Sequence, residues 1–326
     1  MLTYLIRRVL YALPILIGVN LLTFTLFFVV SSPDDMARQI LGDKRVDRQA
    51  IENWKRERGY HLPRVWNAQE QGVARVTQTI FWQKSMKLFV FRMGASDLDG
   101  SSISREVRRR IAPSLHITLP MFLVSLGINV VLAMLVAFYR GSYIDTFGLI
   151  VCVVLMSISM LFYIIGGQFL FAKFLRLYPI SGYADGWAGM RFVLLPVVIG
   201  ILSGVGSAVR FNRTVFLEEI NKDYIRTARA KGLGEGAVLF RHVLKNAMIP
   251  ILTSVVVQIP FLIMGNLLLE NFFAIPGLGS YLIDAIRQQD FSAVCAMVYL
   301  GSLLYVVSLV LVDVSYTLVD PRVRLG

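Results

Sequence analysis

The sequence predicts an all-α membrane protein, because it is far more apolar than a soluble domain and contains long uncharged runs. Hydrophobic residues make up 56% of its 326 residues and charged residues 17%, whereas charged residues take about 25% of a typical soluble domain. Six runs are each close to the ~20 residues that a helix needs to cross a bilayer. A backbone in lipid must satisfy its own hydrogen bonds, which favours six transmembrane helices.

The six apolar runs set the order of the elements. They lie at roughly residues 9–30, 115–138, 147–171, 192–209, 247–269 and 292–318. The first follows Arg7 and Arg8, as the apolar part of a signal peptide does, but its 22 residues exceed the ~7–15 of such a peptide. No cleavage site of small residues follows it, so we interpret it as a retained span.

Lysine and arginine predict which side of the membrane each loop occupies, since short cytoplasmic loops carry the excess of positive charge. With a cytoplasmic N-terminus, thirteen of these residues lie inside and four lie in short outside loops. The inside residues are Arg7, Arg8, Arg140, Arg322, Arg324 and eight between Arg210 and Lys245. Both termini are therefore predicted to be cytoplasmic.

Residues 31–114 then form a long outside segment. It contains ten acidic and sixteen basic residues and three tryptophans, a composition that favours a small folded cap over a disordered linker. Its last basic stretch, Arg105–Arg110, is interpreted as an amphipathic helix on the membrane surface. The predicted organisation is an N-terminal helix 1–30, this segment, and a five-helix core 115–326 that contains a cytoplasmic loop 210–246.

The spans carry almost no charge, which bears on how transport would be driven. Apart from Asp313 in the sixth run, none holds Asp, Glu, Lys or Arg, whereas ion-coupled carriers usually place such groups near the bilayer centre. No GxxxxGKS/T phosphate-binding loop occurs either. No driving force for transport is therefore visible in the sequence of this chain.

Residues suited to catalysis or metal binding are scarce. There is no HExxH or GxSxG motif, and His61, His116 and His242 are isolated in the sequence. Cys152 and Cys295 lie in apolar runs, which predicts buried, unreactive thiols. The prediction is a protein that is not an enzyme, with no catalytic residue, bound cofactor or metal site of its own.

Five polar side chains lie within the apolar runs. They are Asn20, Asn129, Gln168, Gln258 and Asn266. Such residues often hold helices together in lipid, with a gain of about 0.6 kcal/mol each. The alternative is that some of them line a polar path for a solute, and the sequence leaves both interpretations open.

The loop 210–246 has the pattern of a helix, a glycine bend and a second helix. An apolar stripe at helical spacing consists of Leu217, Ile220, Tyr224 and Ala228. Gly232 is expected to take the left-handed backbone that ends the first helix, and the second helix is expected at about 237–246. This shape fits either a plug that enters a groove on a partner or a solvated connector. The small residues Ala228 and Ala230 favour the plug, because they permit close approach.

A turn at 275–279 precedes the sixth run, followed by a short helix predicted at 281–288. The turn reads Ile-Pro-Gly-Leu-Gly. Proline fixes φ in such a turn and glycine allows the chain to reverse. By itself this pattern fits a plain re-entry turn before the sixth span.

Five stretches together carry a resemblance to a known family. They are LIRRVLYALPILIGVNLLTF, DYIRTARAKGL, RHVLKNAMIPILT, FFAIPGLGSYLIDAI and LVDVSYTLVDPRVR. They resemble the permease subunits of ABC importers of the dipeptide, oligopeptide and nickel family. The resemblance covers nearly the whole chain and is most specific from Arg210 onward. It implies the type I ABC importer permease fold with an external cap, in which this chain is half of a translocation pore.

The resemblance also implies roles for three groups of residues. The loop would contain a coupling helix that enters a cleft on an ATPase subunit. The residues of this chain that would fit the cleft are Tyr224, Thr227, Ala228 and Gly232. Acidic groups around that cleft, or solvent, would meet Arg226, Arg229 and Arg241. The external gate, where a binding protein delivers the solute, would include Pro276, Gly277 and Gly279.

The partners implied by the resemblance are a second permease subunit, two ATPase subunits that bind ATP, an extracytoplasmic substrate-binding protein and membrane lipid, with no nucleic acid. The second permease is either a homologue or a second copy, and the implied location is the bacterial inner membrane. Peptides, nickel complexes, glutathione and oligosaccharides all stay open as the solute. Two other classes also stay open: a stand-alone ion-coupled transporter or channel, and a membrane anchor whose loop binds a partner.

Overall fold

The computed structural model describes residues 2–42, 47–184 and 186–319, and most of these residues are helical. The helices are, in chain order, α1 (Leu2–Val30), α2 (Pro33–Leu41), α3 (Arg48–Arg58), α4 (Ala74–Thr77), α5 (Ile80–Lys84), α6 (Ile103–Phe138), α7 (Tyr143–Ser157), α8 (Met160–Gly167), α9 (Met190–Ile220), α10 (Asp223–Ala230), α11 (Glu235–Ala237), α12 (Leu244–Gln258), α13 (Phe261–Met264), α14 (Leu267–Phe272), α15 (Leu278–Arg287) and α16 (Phe291–Val319). Short 3₁₀ helices cover Met86–Val90 and Gly186–Gly189. Short π-helices cover Gln168–Phe174 and Val238–Val243. Arg322 and Arg324, which enter the charge count, lie outside the described residues.

Within the described ranges, five helical stretches are long and apolar enough to cross a membrane. They are Leu10–Phe28, Ile103–Phe138, Met190–Ile220, Glu235–Gln258 and Phe291–Ser315. A sixth span results if Tyr143–Ser157 and Met160–Phe174, which are bent by 88° relative to each other, count as one. The predicted all-α membrane fold is confirmed, and the sixth predicted run, 292–318, agrees closely with α16.

The third and fifth predicted runs are not single straight helices, which corrects the sequence prediction. Between α7 and α8, Ile158 and Ser159 have extended backbone, so the helical ladder is interrupted there. After α12, Pro260 precedes the one-turn α13, and Gly265 has a φ of +74° before α14. Proline lacks the N–H that a helix needs, and a left-handed residue ends a helix. Apolar composition alone does not reveal such breaks.

The basic stretch Arg105–Arg110 is not a separate surface helix, so that prediction is also wrong. It forms the first turns of α6, which runs unbroken from Ile103 to Phe138. Arg110 pairs with Glu106, one turn earlier, at 3.0 Å. Its guanidinium also lies 4.8 Å from the centre of the Tyr281 ring. The positive charge near the second span is thus partly neutralised within the chain.

The chain divides into two compact units, the first of which contains residues 2–111 and Tyr281–Val310. The first unit thus combines α1, most of the segment 31–114, and most of α15 and α16. Aromatic rings fill its interior: Phe24 of α1 lies 5.2 Å from the Phe81 ring and 5.9 Å from the Phe291 ring. The ring of Trp54 stacks on that of Tyr60 at 5.4 Å. These contacts make the segment a folded body around α1 and α16.

A buried carboxylate, Asp97, attaches this segment to the N-terminus of α16. Asp97 accepts hydrogen bonds from the Tyr60 hydroxyl at 2.6 Å and from the Lys84 ammonium at 2.7 Å. It also accepts one from the backbone N–H of Ser292 at 2.9 Å. Burial and the neighbouring Asp97 raise the pKa of Tyr60 well above its ordinary value. The polar groups of this interior are therefore paired with one another.

Asp290, just before α16, supports the same junction. Its carboxylate accepts hydrogen bonds from the backbone N–H groups of Asp97 and Ala293, both at 3.1 Å, and from the Ser96 hydroxyl. Burial raises the pKa of Asp290. Acidic side chains are favourable at a helix N-terminus because unpaired N–H groups point toward them. The junction therefore combines helix capping with an ion pair.

The second unit contains Ala112–Ser280 and residues 311–319. Its largest core cluster includes Phe216 of α9, Ile225 of α10 and Ile251 of α12, all at most 1% exposed. A second cluster surrounds Ile199, Leu269 and other side chains of α9 and α14. The loop 210–246 and the turn 275–279 both lie in this unit.

Candidate functional site

The loop between α9 and α12 is built as two helices that meet at a sharp corner. The single apolar stripe predicted from Leu217 to Ala228 is split, because α9 ends at Ile220 and α10 begins at Asp223. At the corner, Lys222 has extended backbone with a ψ of 151°. The Asn221 side-chain amide donates to the carbonyl of Leu217 at 2.9 Å and so caps α9. The loop therefore begins with a fixed change of direction.

One face of α10 is buried against the chain itself. Ile225 is 0% exposed and Ala228 is 6% exposed, and both belong to the cluster that includes Phe216 and Val243. The sequence interpretation placed Ala228 on the surface that fits a partner, whereas the structure buries its side chain within this chain. Its methyl group instead lets α10 lie close to the underlying helices. The outward small residue is Ala230, which is exposed.

The other face of α10 is open and basic. Arg226 has a side chain that is 75% exposed and lies 3.6 Å from the Asp223 carboxylate. Thr227 is also exposed, and its hydroxyl donates to the Asp223 carbonyl at 3.0 Å. An exposed pair of this kind contributes little to stability. Arg226 is therefore available for a stronger contact.

A bend held by an ion pair follows α10. Gly232 has a φ of +79°, so the predicted left-handed glycine is confirmed. Arg229 donates two hydrogen bonds to Glu235 across this bend, at 2.8 and 3.0 Å, and such a bidentate pair fixes geometry. A methyl group added at Gly232 would meet nothing within 4 Å in this chain. The bend thus presents a free surface.

Tyr224 joins three parts of the loop. Its hydroxyl donates to the Glu219 carboxylate at the end of α9 and accepts from the Asn246 amide of α12 at 2.9 Å. Burial and the bond to Glu219 raise the pKa of Tyr224 to about 12. The phenol therefore stays protonated and keeps its role as a donor at neutral pH. Tyr224 is 36% exposed, so part of its ring also faces outward.

The sequence predicted a short second helix at 237–246. In the structure this helix is not separate from the helix that follows it. It begins with α11, continues through the wide turn Val238–Val243 and runs directly into α12. Val238, Leu239 and Val243 are buried in the same cluster as α10. Arg241 lies on the exposed side of this turn. The loop is therefore continuous with two membrane-crossing helices.

The turn 275–279 is organised by a buried acid that the sequence interpretation did not select. Glu270 is 0% exposed and accepts hydrogen bonds from the Ser114 hydroxyl at 2.8 Å and from the Ser280 N–H at 3.0 Å. It also accepts one from the N–H of Asn266 at 3.2 Å. Ser114 in turn accepts from the N–H of Leu278 at 2.8 Å. A single carboxylate thus draws together α6, the break before α14 and the start of α15.

Gly277 and Gly279 are required for a reason that differs from the predicted one. The sequence interpretation gave glycine the role of reversing the chain, but neither residue has positive φ, and the left-handed residue is Ala274 at +53°. A methyl group added at Gly277 or Gly279 would instead collide with the Glu270 carboxylate. Pro276 is exposed at the apex of the turn. The sequence signal for this site is an acid placed immediately after the fifth apolar run.

Of the five polar side chains within the apolar runs, three have packing roles. Asn20 donates to the Leu16 carbonyl at 3.0 Å within α1. Gln168 donates to the carbonyls of Ile180 and Phe272 at 3.0 and 3.1 Å. Asn266 caps α14 by accepting from the N–H of Leu269 at 3.1 Å. Asn129 and Gln258, by contrast, lie on the wall of a cavity.

This cavity, of about 580 Å³, lies in the second unit and is lined by residues of α6, α9, α12 and α13. Asn129 contributes from α6 and Gln258 from α12, and Gly200, Gly204 and Ser207 contribute from one side of α9. Within the described part of the chain, no ionisable side chain lines this cavity. The sequence did not single out the α9 residues, because small side chains at helical spacing also occur in ordinary helix packing.

Both cysteines are buried, and His116 lies beside a tyrosine hydroxyl. Cys152 and Cys295 are buried free thiols, as predicted. The Nδ1 atom of His116 lies 2.8 Å from the Tyr183 hydroxyl. Within the part of the chain that the structure describes, no three His, Cys, Asp or Glu side chains are grouped as metal ligands.

Comparison with known proteins agrees with this arrangement. The family model described as the binding-protein-dependent transport system inner membrane component matches residues 129–325, which include the loop, the cavity wall from Asn129 onward and the turn. A putative peptide transport system permease protein of Brucella abortus is 32% identical, with 98% of each chain covered. A glutathione transport system permease protein of Salmonella typhimurium is 30% identical over 99% of each chain.

A third relative is similar over its whole length. The dipeptide transport system permease protein of Alkalihalophilus pseudofirmus is 28% identical, over 99% of this chain and 100% of its own. The similarity therefore includes α1 and the segment 31–114 as well as the matched core. On these grounds the chain belongs to the family of binding-protein-dependent transport system inner membrane components, and it is a multi-pass permease subunit of the ABC importer class.

Proposed function

We propose that this chain forms half of a translocation pore that imports peptides or similar small solutes, driven by ATPase subunits that dock on α10. The three relatives described above are named for peptide, glutathione and dipeptide transport. Glutathione itself contains peptide-type amide bonds, so all three names refer to related chemistry. The other half of the pore would be a second, homologous permease. Two ATPase subunits would bind and hydrolyse ATP, and an extracytoplasmic binding protein would supply the solute.

The observation that carries the proposal is the shared core of α9, α10 and α12. Ile225 and Ala228 of α10 are buried in one cluster with Phe216 of α9 and Ile251 of α12. Packed interiors transmit displacement, because they are dense and resist compression. A force applied to α10 would therefore move the two helices that wall the cavity. The hydrogen bonds of Tyr224 to α9 and α12 stiffen the same connection.

The outward surface of α10 has the character of a docking site. Arg226 and Thr227 are exposed on it, Ala230 permits close approach, and the bend at Gly232 is unobstructed. Arg226 would meet an acidic group on the ATPase. Arg229 serves mainly to hold the bend through Glu235, and Arg241 lies beyond it. With α10 in the cytoplasm, both termini are cytoplasmic and the turn 275–279 faces outward, next to the binding protein.

A substitution at Gly232 tests this docking. In the assembled complex in proteoliposomes, Gly232→Trp is expected to lower ATP-driven uptake by about tenfold or more, as loss of a central interface contact does. The indole would project into the ATPase surface, since this chain leaves the space empty. The measurements are uptake, ATP hydrolysis and the amount of ATPase that co-purifies with the permease.

Gly141→Trp is the matched control. Gly141 also has a φ of +79° and open space around it, so the backbone strain of roughly 1–2 kcal/mol is the same in both variants. The control should retain uptake close to that of the wild type. Unchanged uptake in Gly232→Trp would refute the docking of α10. Uptake that needs no ATPase at all would refute the importer mechanism itself.

A further inference from the structure

A loop of the first unit, residues 84–97, begins and ends at the start of α16. Lys84 donates a hydrogen bond at 2.8 Å to the hydroxyl of Ser292, in the first turn of that helix. The N–H of Asp97 donates at 3.1 Å to the carboxylate of Asp290, the residue that precedes the helix. Lys84 and Asp97 also form an ion pair at 2.7 Å. The two ends of the loop therefore lie side by side.

The tip of the loop lies further along the same helix. The ring of Phe89 is 5.3 Å from the ring of Tyr299. Seven residues separate Tyr299 from Ser292, which corresponds to about 10 Å along a helix axis. The apolar stretch Phe291–Ser315 of α16 has 25 residues and is about 37 Å long, only slightly longer than the ~30 Å of hydrocarbon in a bilayer. The tip is therefore beside a part of α16 that lies within the bilayer.

The tip presents apolar side chains to its surroundings. Val90 is 71% exposed and Phe91 is 64% exposed, whereas the adjacent Leu88 is 1% exposed. Phe91 has a φ of +56°, a conformation that is uncommon for a bulky residue. Its N–H donates to the carbonyl of Leu88 at 2.8 Å, which helps to hold this conformation. An exposed aromatic ring gains nothing from this position in water, but transfer of the ring into lipid is favourable.

Positive charge flanks the tip on both sides. Lys87 and Arg92 are exposed, and no acidic residue occurs between Glu70 and Asp97 in the sequence. The Lys87 ammonium donates to the side-chain oxygen of Gln83 at 2.9 Å, and this neutral partner leaves its charge uncompensated. Long basic side chains extend from an apolar surface toward the lipid phosphates. An apolar tip between two cations therefore has the character of a segment at the lipid interface.

We propose that the tip, residues 87–92, is inserted into the lipid around the start of α16 and anchors the segment 31–114 to the membrane. Val90 and Phe91 contact the acyl chains, and the two cations bind phospholipid phosphates. With the orientation proposed above, this lipid is the outer leaflet. Insertion needs neither ATP nor a transported solute, so it is tested separately from the proposed function.

A spin label at position 90 measures the depth of the tip. Val90→Cys is labelled with a methanethiosulfonate nitroxide in the complete complex, which is reconstituted without the binding protein in vesicles of phosphatidylcholine and phosphatidylglycerol. Cys152 and Cys295 are buried, and the unsubstituted complex, treated identically, gives the background. Collision rates with oxygen and with a water-soluble nickel chelate should place the label about 5–10 Å below the phosphates.

Glu52→Cys, at an exposed position of α3, is the control, and its label should be reached by the nickel chelate. Three results at position 90 would overturn the proposal. Nickel access equal to that at position 52 would place the tip in water. Shielding from both oxygen and nickel would mean that another subunit covers the tip. Nickel access that is lost only when the binding protein is added would make the tip a docking site for that protein.

Phe91→Asn tests the contribution of the aromatic ring. Asparagine tolerates positive φ, so the midpoint of thermal unfolding should be no lower than in the wild type. The label at Val90→Cys should lose its depth of about 5–10 Å and become accessible to the nickel chelate. Trp66→Asn, at another exposed aromatic residue of the same segment, is the matched control and should leave the depth unchanged. A depth that is also unchanged in Phe91→Asn would refute anchoring by this ring.

The composition of the vesicles tests the two cations. The label at position 90 should lie deeper with phosphatidylglycerol than in phosphatidylcholine alone, because anionic lipid attracts basic segments. In the double variant Lys87→Gln/Arg92→Gln this difference should disappear. The control Arg48→Gln/Arg56→Gln removes the same charge from exposed positions of α3 and should keep the difference. A difference that persists without Lys87 and Arg92 would refute their binding to lipid phosphates.

Discussion

At the scale of single residues, one carboxylate accounts for the composition of the turn 275–279. Glu270 accepts from the Ser114 hydroxyl and from two backbone N–H groups at 2.8–3.2 Å. A methyl group at Gly277 would collide with this carboxylate, and one at Gly279 would collide with it and with the backbone of Asn266 and Leu267. Since the bonds reach α6, α14 and α15 together, the turn moves as one piece while they persist. The carboxylate thus ties the proposed external gate to three helices.

Removing this carboxylate should free the turn. In Glu270→Ala, three donors lose their acceptor, each at a cost of about 1–3 kcal/mol when buried. Amide hydrogen exchange at Asn266 and Ser280 should speed up by about tenfold or more, which corresponds to 1.4 kcal/mol. Glu270→Gln keeps one acceptor oxygen and should lie between the two. Exchange rates that match the wild type in Glu270→Ala would show that other contacts hold the turn.

At the scale of elements, α10 is a short helix whose stability depends on packing. Eight residues are too few for a stable isolated helix in water. The helix α10 is therefore stabilised by the burial of its own side chains Ile225 and Ala228 in the core of the chain. The corner at Lys222 and the bend at Gly232 set its direction at both ends. The helix can therefore transmit force only while its buried face stays attached.

Ile225→Ala should detach α10 without changing its outward surface. Deletion of buried atoms from a site that is 0% exposed costs about 2–5 kcal/mol. The expected result is a lower midpoint of thermal unfolding and ATP hydrolysis that continues without solute uptake. Leu41→Ala, at a side chain of α2 that is 42% exposed, is the control and should change neither. Normal uptake in Ile225→Ala would argue against a rigid lever.

At the scale of the whole molecule, each compact unit has buried acids where the sequence shows no motif. In the first unit, Asp97 and Asp290 join the segment 31–114 to the start of α16, with Lys84 as the countercharge. In the second unit, Glu270 joins α6, α14 and α15. Buried ionised groups persist only where donors surround them. The hydrogen bonds of these acids are directional and therefore specify which helix ends meet. Hydrophobic contacts between apolar helix surfaces are not directional.

Asp97→Ala should loosen the first unit as a whole. It leaves the Lys84 ammonium, whose side chain is 18% exposed, without its carboxylate, and breaking such a pair costs about 3–5 kcal/mol. Limited proteolysis of the purified complex should then cleave the segment 31–114 much faster. Asp99→Ala, two residues away and exposed, is the control and should leave the cleavage rate nearly unchanged. Equal cleavage of both variants would remove Asp97 from this role.

The sequence alone determined the membrane class, the order of the spans, the left-handed bend at Gly232 and the family, because these depend on composition and on short local patterns. The tertiary structure decided which face of α10 is buried, why Gly277 and Gly279 are glycine, and where the third and fifth spans break. Those properties depend on contacts between residues distant in the chain, such as Ser114 with Glu270. An apolar run identifies a helix in lipid, but it carries no information about which neighbour the helix will touch.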